Sequence, residues 1–346
     1  MYFYVKITKE EVKDMPNIIT HVIFAYKVKS KLEDILVKEA ISNFKQEFTI
    51  GSNGPDFLFF YDACPWILHP DKSVSMLGGE IHSKKINDFY NKAIEIVKNE
   101  KDPVIKQAML SYLAGHLCHW ALDKTTHPYI FYFTGNGSQI SQIYHHRFES
   151  MLDTIVLKKF TNKSIKDFKY SKLCSQGEVT IDAISNYYVE IAQSVYGYTL
   201  TKEMIQKSLK DWKRIQNYLY DSTGLKKKIL LRIEKEINLT GIVSENIVPY
   251  KIDESYDILN ERRETWKYPA IPSIISNQTF MELFDEAIHL AVKAIQLLND
   301  IIKGNMPDYA LAYLLKNQSY DTGVSGKKEM SEFKIIYETR HDNETI

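Results

Sequence analysis

Gly115-His116-Leu117-Cys118-His119-Trp120-Ala121-Leu122-Asp123, with His127 one turn further on, is the stretch that decides the fold. Upstream of it, Asp102-Pro103 offers a capping carboxylate and a first-turn proline, and apolar residues return at Ile105, Met109 and Tyr112 with helical period. A helix therefore runs into the stretch. On that helix His119 and Asp123 are one i,i+4 pair, on one face and ~6 Å apart. Tyr112, His116, His119 and Asp123 continue the apolar stripe, so these polar groups point into a bundle. An imidazole and a carboxylate buried there are costly unless something pairs them, and a divalent cation does so directly. His145-His146-Arg147-Phe148-Glu149 repeats the spacing, with His145 and Glu149 beside the apolar Phe148 and Leu152.

Outward from these two segments the chain reads as mainly α. Ser138 can cap a helix through Ile143, Phe148, Leu152 and Ile155. The clearest helix lies between Asn277 and Gly304, where Thr279 and Glu282 have capping-box spacing and Phe280, Leu283, Phe284, Ile288, Ala291, Ile295 and Leu298 line one side. Gly304 suits its terminating position. Further helical stretches lie near 33–47, 84–99, 179–195, 201–219 and 223–236. Thr20 to Lys27 alternates like a strand but stands isolated. Loops are expected near 50–80, 128–137 and 240–276. The fold class is all-α, a multi-helix bundle forming one domain over 1–317, with a polar, weakly ordered tail over 318–346.

Composition narrows the function. Lysine plus arginine equals aspartate plus glutamate, 44 against 44, which gives no long-range grip on a polyanion. A metal cluster would still supply local positive charge. No apolar run reaches the ~18 residues of a membrane span. The first residues, MYFYVKITKEEVKDMPN, carry charge throughout and do not form a secretory signal. Cys64, Cys118 and Cys174 are widely spaced and form no CxxC pair, so neither a disulfide framework nor a thiolate zinc knuckle is expected. A reducing cytoplasm is the simplest setting.

Eight of the ten histidines fall between His21 and His146. A single histidine on an apolar face is usually an ordinary hydrogen-bonded core residue, and one His-x-x-x-Asp pair is also ordinary. Two such pairs, with His127 between them, outweigh that reading. His/Asp/Glu sets without thiolate suit zinc, with manganese or iron as alternatives. The remaining histidines are expected to be bland. His116 lies on the stripe but defers to His119, His146 points to the second shell or to solvent, His69 falls in a loop, and His289 and His341 are structural or solvated. Cys118 is expected in the core, and the 23 tyrosines mostly as core residues with a polar tip.

Over roughly residues 18–305 the chain resembles the zinc-dependent phospholipase C family, related in fold to the single-strand-specific P1/S1 nucleases. The resemblance is carried by Thr20-His21-Val22, Gly54-Pro55-Asp56-Phe57, Gly79-Glu80-Ile81-His82, the His119/Asp123 and His145/Glu149 pairs, and Asn260 with Trp266 and Pro269 ahead of the long helix. It implies a three-metal cleft, with two to three zinc ions bound. One ion would be held by Asp56, His82, His119 and Asp123. Asp123 would bridge to a second ion, also bound by His21, and a third would take His127, His145 and Glu149. One departure stands out: secreted members use the backbone of an N-terminal tryptophan as a ligand, whereas this chain begins Met1-Tyr2 and its first tryptophan is Trp66.

The implied activity is hydrolysis of a phosphoric ester, on a phospholipid or a small phosphodiester. Two ions bridged by Asp123 would lower the pKa of a bound water and provide hydroxide near neutral pH, with Asp56 orienting that nucleophile or taking its proton. Asp56 and Asp123 are thus the expected catalytic residues. A nuclease, with nucleic acid the less favoured partner, and a non-catalytic metal-binding scaffold are the rival readings.

Overall fold

Capping chemistry starts the central helix where the sequence places it. The Asp102 carboxylate accepts from the amides of Val104 and Ile105, Pro103 occupies the first turn, and the helix continues to Thr134. The computed structural model describes residues 18–64, 67–326 and 328–338. Within them this helix is α6 (Pro103–Thr134), preceded by α1 (Ile18–Lys31), α2 (Leu36–Asn43), α3 (Lys45–Gly51), α4 (Ser73–Ser83) and α5 (Ile86–Asn99). It is followed by α7 (Gln139–Thr161), α8 (Glu178–Ile191), α9 (Lys202–Leu219), α10 (Leu225–Glu236), α11 (Phe280–Ile302) and α12 (Ala310–Leu315). The one sheet among the described residues is an antiparallel hairpin, β1 (Trp266–Tyr268) with β2 (Ile271–Ser276), in which Trp266 faces Ser276. The architecture is all-α.

From Ala108 onward α6 is buried on every side, Lys124 and Phe131 being only half-buried. It is the axis of the bundle, with α1, α2, α3, α7, α8 and α11 packed around it. Two glycines set the closest approach. A Cβ at Gly51 would lie 2.3 Å from the Tyr112 carbonyl oxygen, and one at Gly115 would lie 2.5 Å from that of Phe48. This backbone-to-backbone crossing of α3 and α6 presses the following 3-10 turn, Asp56–Phe60, toward the middle of α6. The Ser208 hydroxyl of α9 donates to the Phe57 carbonyl and holds the turn from the other side.

Four local expectations change. Thr20 to Lys27, whose alternation stands isolated and which falls in none of the helical stretches expected, lies inside α1. The amides of Ile19 and Thr20 and the Thr20 hydroxyl donate to the buried Asp153 carboxylate of α7, at 3.1, 2.7 and 2.7 Å. A distant residue thus satisfies amides that the local sequence leaves open. The loop expected near 128–137 starts only at Gly135, because α6 continues through Pro128. Pro128 has no N–H for the Lys124 carbonyl, and Gly323 packs there: a Cβ at 323 would sit 2.6 Å from that oxygen. The stretch 50–80 contains the 3-10 turn and α4, and 240–276 contains the hairpin.

The fourth change concerns the end of the chain. Most of the stretch expected as a weakly ordered tail is packed onto the bundle, because it carries side chains that bury. Tyr320 is fully enclosed and Tyr337 nearly so. The amides of Lys334 and Ile336 donate to the Tyr132 and Phe133 carbonyls at the end of α6, at 2.8 and 3.1 Å. The final residues, 339–346, lie outside the described residues.

Gly115→Ala should overpack the α3–α6 crossing, since the atoms it meets are backbone and cannot rotate away. We expect a loss of ~1–3 kcal/mol in urea unfolding. Gly79→Ala, whose Cβ would meet open space, should show no loss; equal behaviour of the two variants would refute this account of the crossing.

Candidate metal centre

The eight side chains expected at the site converge on one cleft. His21 comes from α1, Asp56 from the 3-10 turn, His82 from the last turn of α4, and His119, Asp123 and His127 from α6. His145 and Glu149 come from α7. Of the eight, all but His119 line a single cavity, and His119 is buried directly behind Asp56 and Asp123. The i,i+4 pairs read from the sequence are both made, His119 Nε2 to Asp123 Oδ2 at 3.1 Å and His145 Nε2 to Glu149 Oε1 at 3.2 Å.

Contacts between elements complete three groups. His82 Nε2 lies 3.0 Å from Asp56 Oδ1, and His119 Nε2 lies 3.4 Å from the same oxygen and 3.4 Å from His82 Nε2. His21 Nε2 is 3.5 Å from Asp123 Oδ1, the oxygen that His119 does not face. His127 Nε2 is 3.5 Å from Glu149 Oε1. Each group, His21/His119/Asp123, Asp56/His82/His119 and His127/His145/Glu149, has its donor atoms within 4.8 Å of one another and could hold a metal ion. The spacing fits: ligands at about 2.0–2.2 Å from one tetrahedral ion stand about 3.3–3.6 Å apart. Asp56 Oδ2 is buried with no hydrogen-bond partner among the described residues, so it has an acceptor to spare.

Surrounding groups fix which nitrogen faces the cleft. His82 Nδ1 donates to the Gly78 carbonyl at 2.8 Å, which leaves Nε2 toward Asp56. His127 Nδ1 donates to the Tyr320 carbonyl at 3.1 Å, which leaves Nε2 toward Glu149. A second partner of this kind sets the tautomer of a ligating histidine. Gly54, at φ +50°, stands against the His119 ring, where a Cβ would lie 2.2 Å from Cδ2. Glycine is required at that point by both backbone and space.

Electrostatics follow from the burial. Burial pulls the His82 imidazole down, but the hydrogen bond and charge of Asp56 outweigh it and raise the ring to about 9. Burial acts likewise on His127, and the charges of Asp123 and Glu149 with the Glu149 hydrogen bond lift it to about 10. Burial alone would raise Glu149; His145 and His127 instead hold it well below the usual carboxylate range. Asp56 is likewise lowered against its burial by His119 and His82. His21 goes down because desolvation exceeds the help of Asp123.

The other histidines fall within the alternatives expected of them. His116 joins none of the three groups: its Nδ1 meets the Tyr90 hydroxyl at 2.8 Å and its ring stacks on Phe89 at 4.7 Å. Burial first, then His119 and His82, keep it neutral, well below its ordinary range. His146 is not solvated; it is buried and lines the cavity. His69 and His289 are exposed, Cys118 is in the core, and His341 lies outside the described residues. So do Trp66 and residues 1–17, where the departure at the N-terminus falls.

The sequence reading missed three participants. Tyr320 packs its ring 5.0 Å from that of His82 and 5.4 Å from that of His119, and its amide donates to the His82 carbonyl at 2.9 Å. Asp321 lines the cavity, 4.0 Å from His127 Nδ1. Asp153 holds the start of the helix that carries His21. Tyr320 and Asp321 belong to a stretch without periodicity, and no local signal marks Asp153 as a cap.

A helical bundle with three His/carboxylate groups gathered in one cleft defines a metal-dependent, phospholipase-like hydrolase. The chain belongs to the zinc dependent phospholipase C family, whose profile matches residues 20–220. Neither the curated proteins nor the solved structures hold a significant match.

Zinc added to metal-free protein should displace protons, since both raised imidazoles are charged near neutral pH and an ion needs them neutral. The apparent affinity should therefore rise as pH climbs toward 9. Calorimetry in buffers of different ionisation enthalpy would read the release; identical heats in all buffers would contradict it.

Proposed function

We propose that the protein is a zinc-dependent phosphodiesterase of the phospholipase C type, acting on a phospholipid or a small phosphodiester. The observation that carries the reading is the divided carboxylate of Asp123, one oxygen toward His119 and the other toward His21. That is the disposition of a carboxylate shared by two ions. Asp56, His82, His119 and Asp123 would hold one ion, Asp123 and His21 a second, and His127, His145 and Glu149 a third.

Zinc bound there supplies Lewis acidity, which acidifies water and draws charge from phosphate oxygens. The chain supplies the rest. Asp56 would hold the ion with His82 and His119 and has Oδ2 without a protein partner among the described residues, available to orient a nucleophilic water or accept its proton. The Gly78 and Tyr320 carbonyls hold His82 and His127 in one tautomer. No lysine or arginine stands among the described residues lining the cleft. An anionic phosphate would therefore be neutralised by the ions rather than by side chains. Phe59, Phe131 and Met330 give the wall apolar patches, and Asn136, Ser141 and Gln142 add polar groups.

Phe59 and Phe131 also favour a second reading, a single-strand nuclease, since a base could stack on either ring. Among the described residues no helix is long and apolar enough to cross a membrane. All three cysteines are buried and free.

Asp123→Asn should lose bound zinc and at least about a hundredfold of phosphodiesterase activity, read by elemental analysis beside assays on a chromogenic phosphodiester, a phosphocholine ester and single-stranded DNA. Wild-type protein that binds zinc and cleaves none of the three would make the cluster a structural one. Preference for DNA would move the assignment to the nuclease.

A further inference from the structure

Helix α10, just beyond the region matched by the family, has an outer face with no counterpart inside the bundle. Its sequence is LKKKILLRIEKE. Leu225, Ile229, Ile233 and, just past its end, Ile237 repeat every fourth residue and are 60, 48, 51 and 54 % exposed. Such a row is a continuous aliphatic stripe. Lys228, Arg232 and Lys235 run beside it, all exposed and in no ion pair among the described residues. Of the two acids in the helix, Glu234 is buried and turned inward, and Glu236 in the last turn is exposed, so the exposed basic side chains outnumber it three to one.

The inner face shows that the outer one is presented rather than left loose. The Glu234 carboxylate accepts from the amides of Gly241, Val243 and Ser244 at 2.9, 2.7 and 2.9 Å. Lys227 pairs with Glu245 at 2.7 Å, and the Asp221 carboxylate accepts from the amides of Gly224 and Lys227 at the start of the helix. Four aliphatic side chains held in solvent on an anchored helix need a partner that is apolar where they are and anionic beside them.

We propose that α10 is an interfacial docking helix that seats the protein on an anionic lipid surface. The stripe enters the acyl boundary while Lys228, Arg232 and Lys235 meet phosphate and carboxylate headgroups. Charge decides the occupant. A two-fold contact with a second copy would bring basic rows close to one another, and a nucleic acid has nothing to offer four aliphatic side chains. The position also serves the cleft. The segment after α10 packs on α7, Gly241 against Ile143 and the Glu245 carbonyl accepting from Ser150, next to Gln142 of the cavity wall. The link from docking to turnover rests on the phospholipase reading above; the docking itself does not.

The test uses the zinc-loaded full chain in co-sedimentation with vesicles of phosphatidylcholine alone and of phosphatidylcholine mixed with phosphatidylserine. Binding should need the anionic lipid and weaken with salt. The double variants Ile229→Asp/Ile233→Asp and Lys228→Glu/Arg232→Glu should each bind at least about tenfold more weakly, with unchanged melting temperature, zinc content and hydrolysis of a soluble chromogenic diester. The proposal is overturned by vesicle binding that both variants retain. It is equally overturned by absence of binding to either vesicle, by binding of DNA in its place, or by an aliphatic variant that dissociates a dimer whose wild type ignores vesicles. Hydrolysis of the soluble diester without vesicle binding sinks the docking and spares the chemistry. Binding without hydrolysis of any substrate does the reverse.

Discussion

Everything in this fold answers to the difficulty of keeping imidazoles and carboxylates away from water. Asp56, His119 and Asp123 are almost fully buried, and an isolated ionised group in such surroundings costs several kcal/mol or more. They are tolerable together because each faces a partner of opposite or complementary character at 3.0–3.5 Å. The same separations suit shared ligation of cations. The bundle creates this crowding, with the most enclosed helix carrying three of the eight candidate ligands.

Packing and chemistry are joined at specific backbone contacts. Gly51 and Gly115 let α3 and α6 touch, and that contact delivers Asp56; Gly54 lets the chain pass over the ring of His119. Pro128 interrupts the hydrogen bonds of α6 beside Gly323, on the segment that carries Tyr320. Tyr320 then packs its ring against those of His82 and His119, and its carbonyl accepts a hydrogen bond from His127 Nδ1. Below it, the hydroxyls of Tyr90 and Tyr320 and the ring of His116 share hydrogen bonds, as do those of Tyr112 and Tyr188. These rings fill the core and their hydroxyls end in partners.

α10 shows the opposite principle. Where the centre hides polar groups, this helix displays apolar ones, on a scaffold of buried acceptors at Glu234 and Asp221. The exposed aliphatic row and the enclosed imidazoles and carboxylates thus sit on separate parts of the chain.

The helices and their caps were legible in the sequence because they depend on neighbours three or four residues away. Asp102, Ser138 and the Thr279/Glu282 box act where the spacing put them. The pairs His119/Asp123 and His145/Glu149 were legible for the same reason, and the resemblance supplied His21, Asp56, His82 and His127. Tertiary structure alone decided what periodicity cannot encode. It made Thr20 to Lys27 helical through Asp153, carried α6 past Pro128, placed Tyr320 and Asp321 at the cleft, and buried His146. A helical repeat reports only which side of its own helix a residue occupies; which distant chain arrives on that side is settled when the bundle closes.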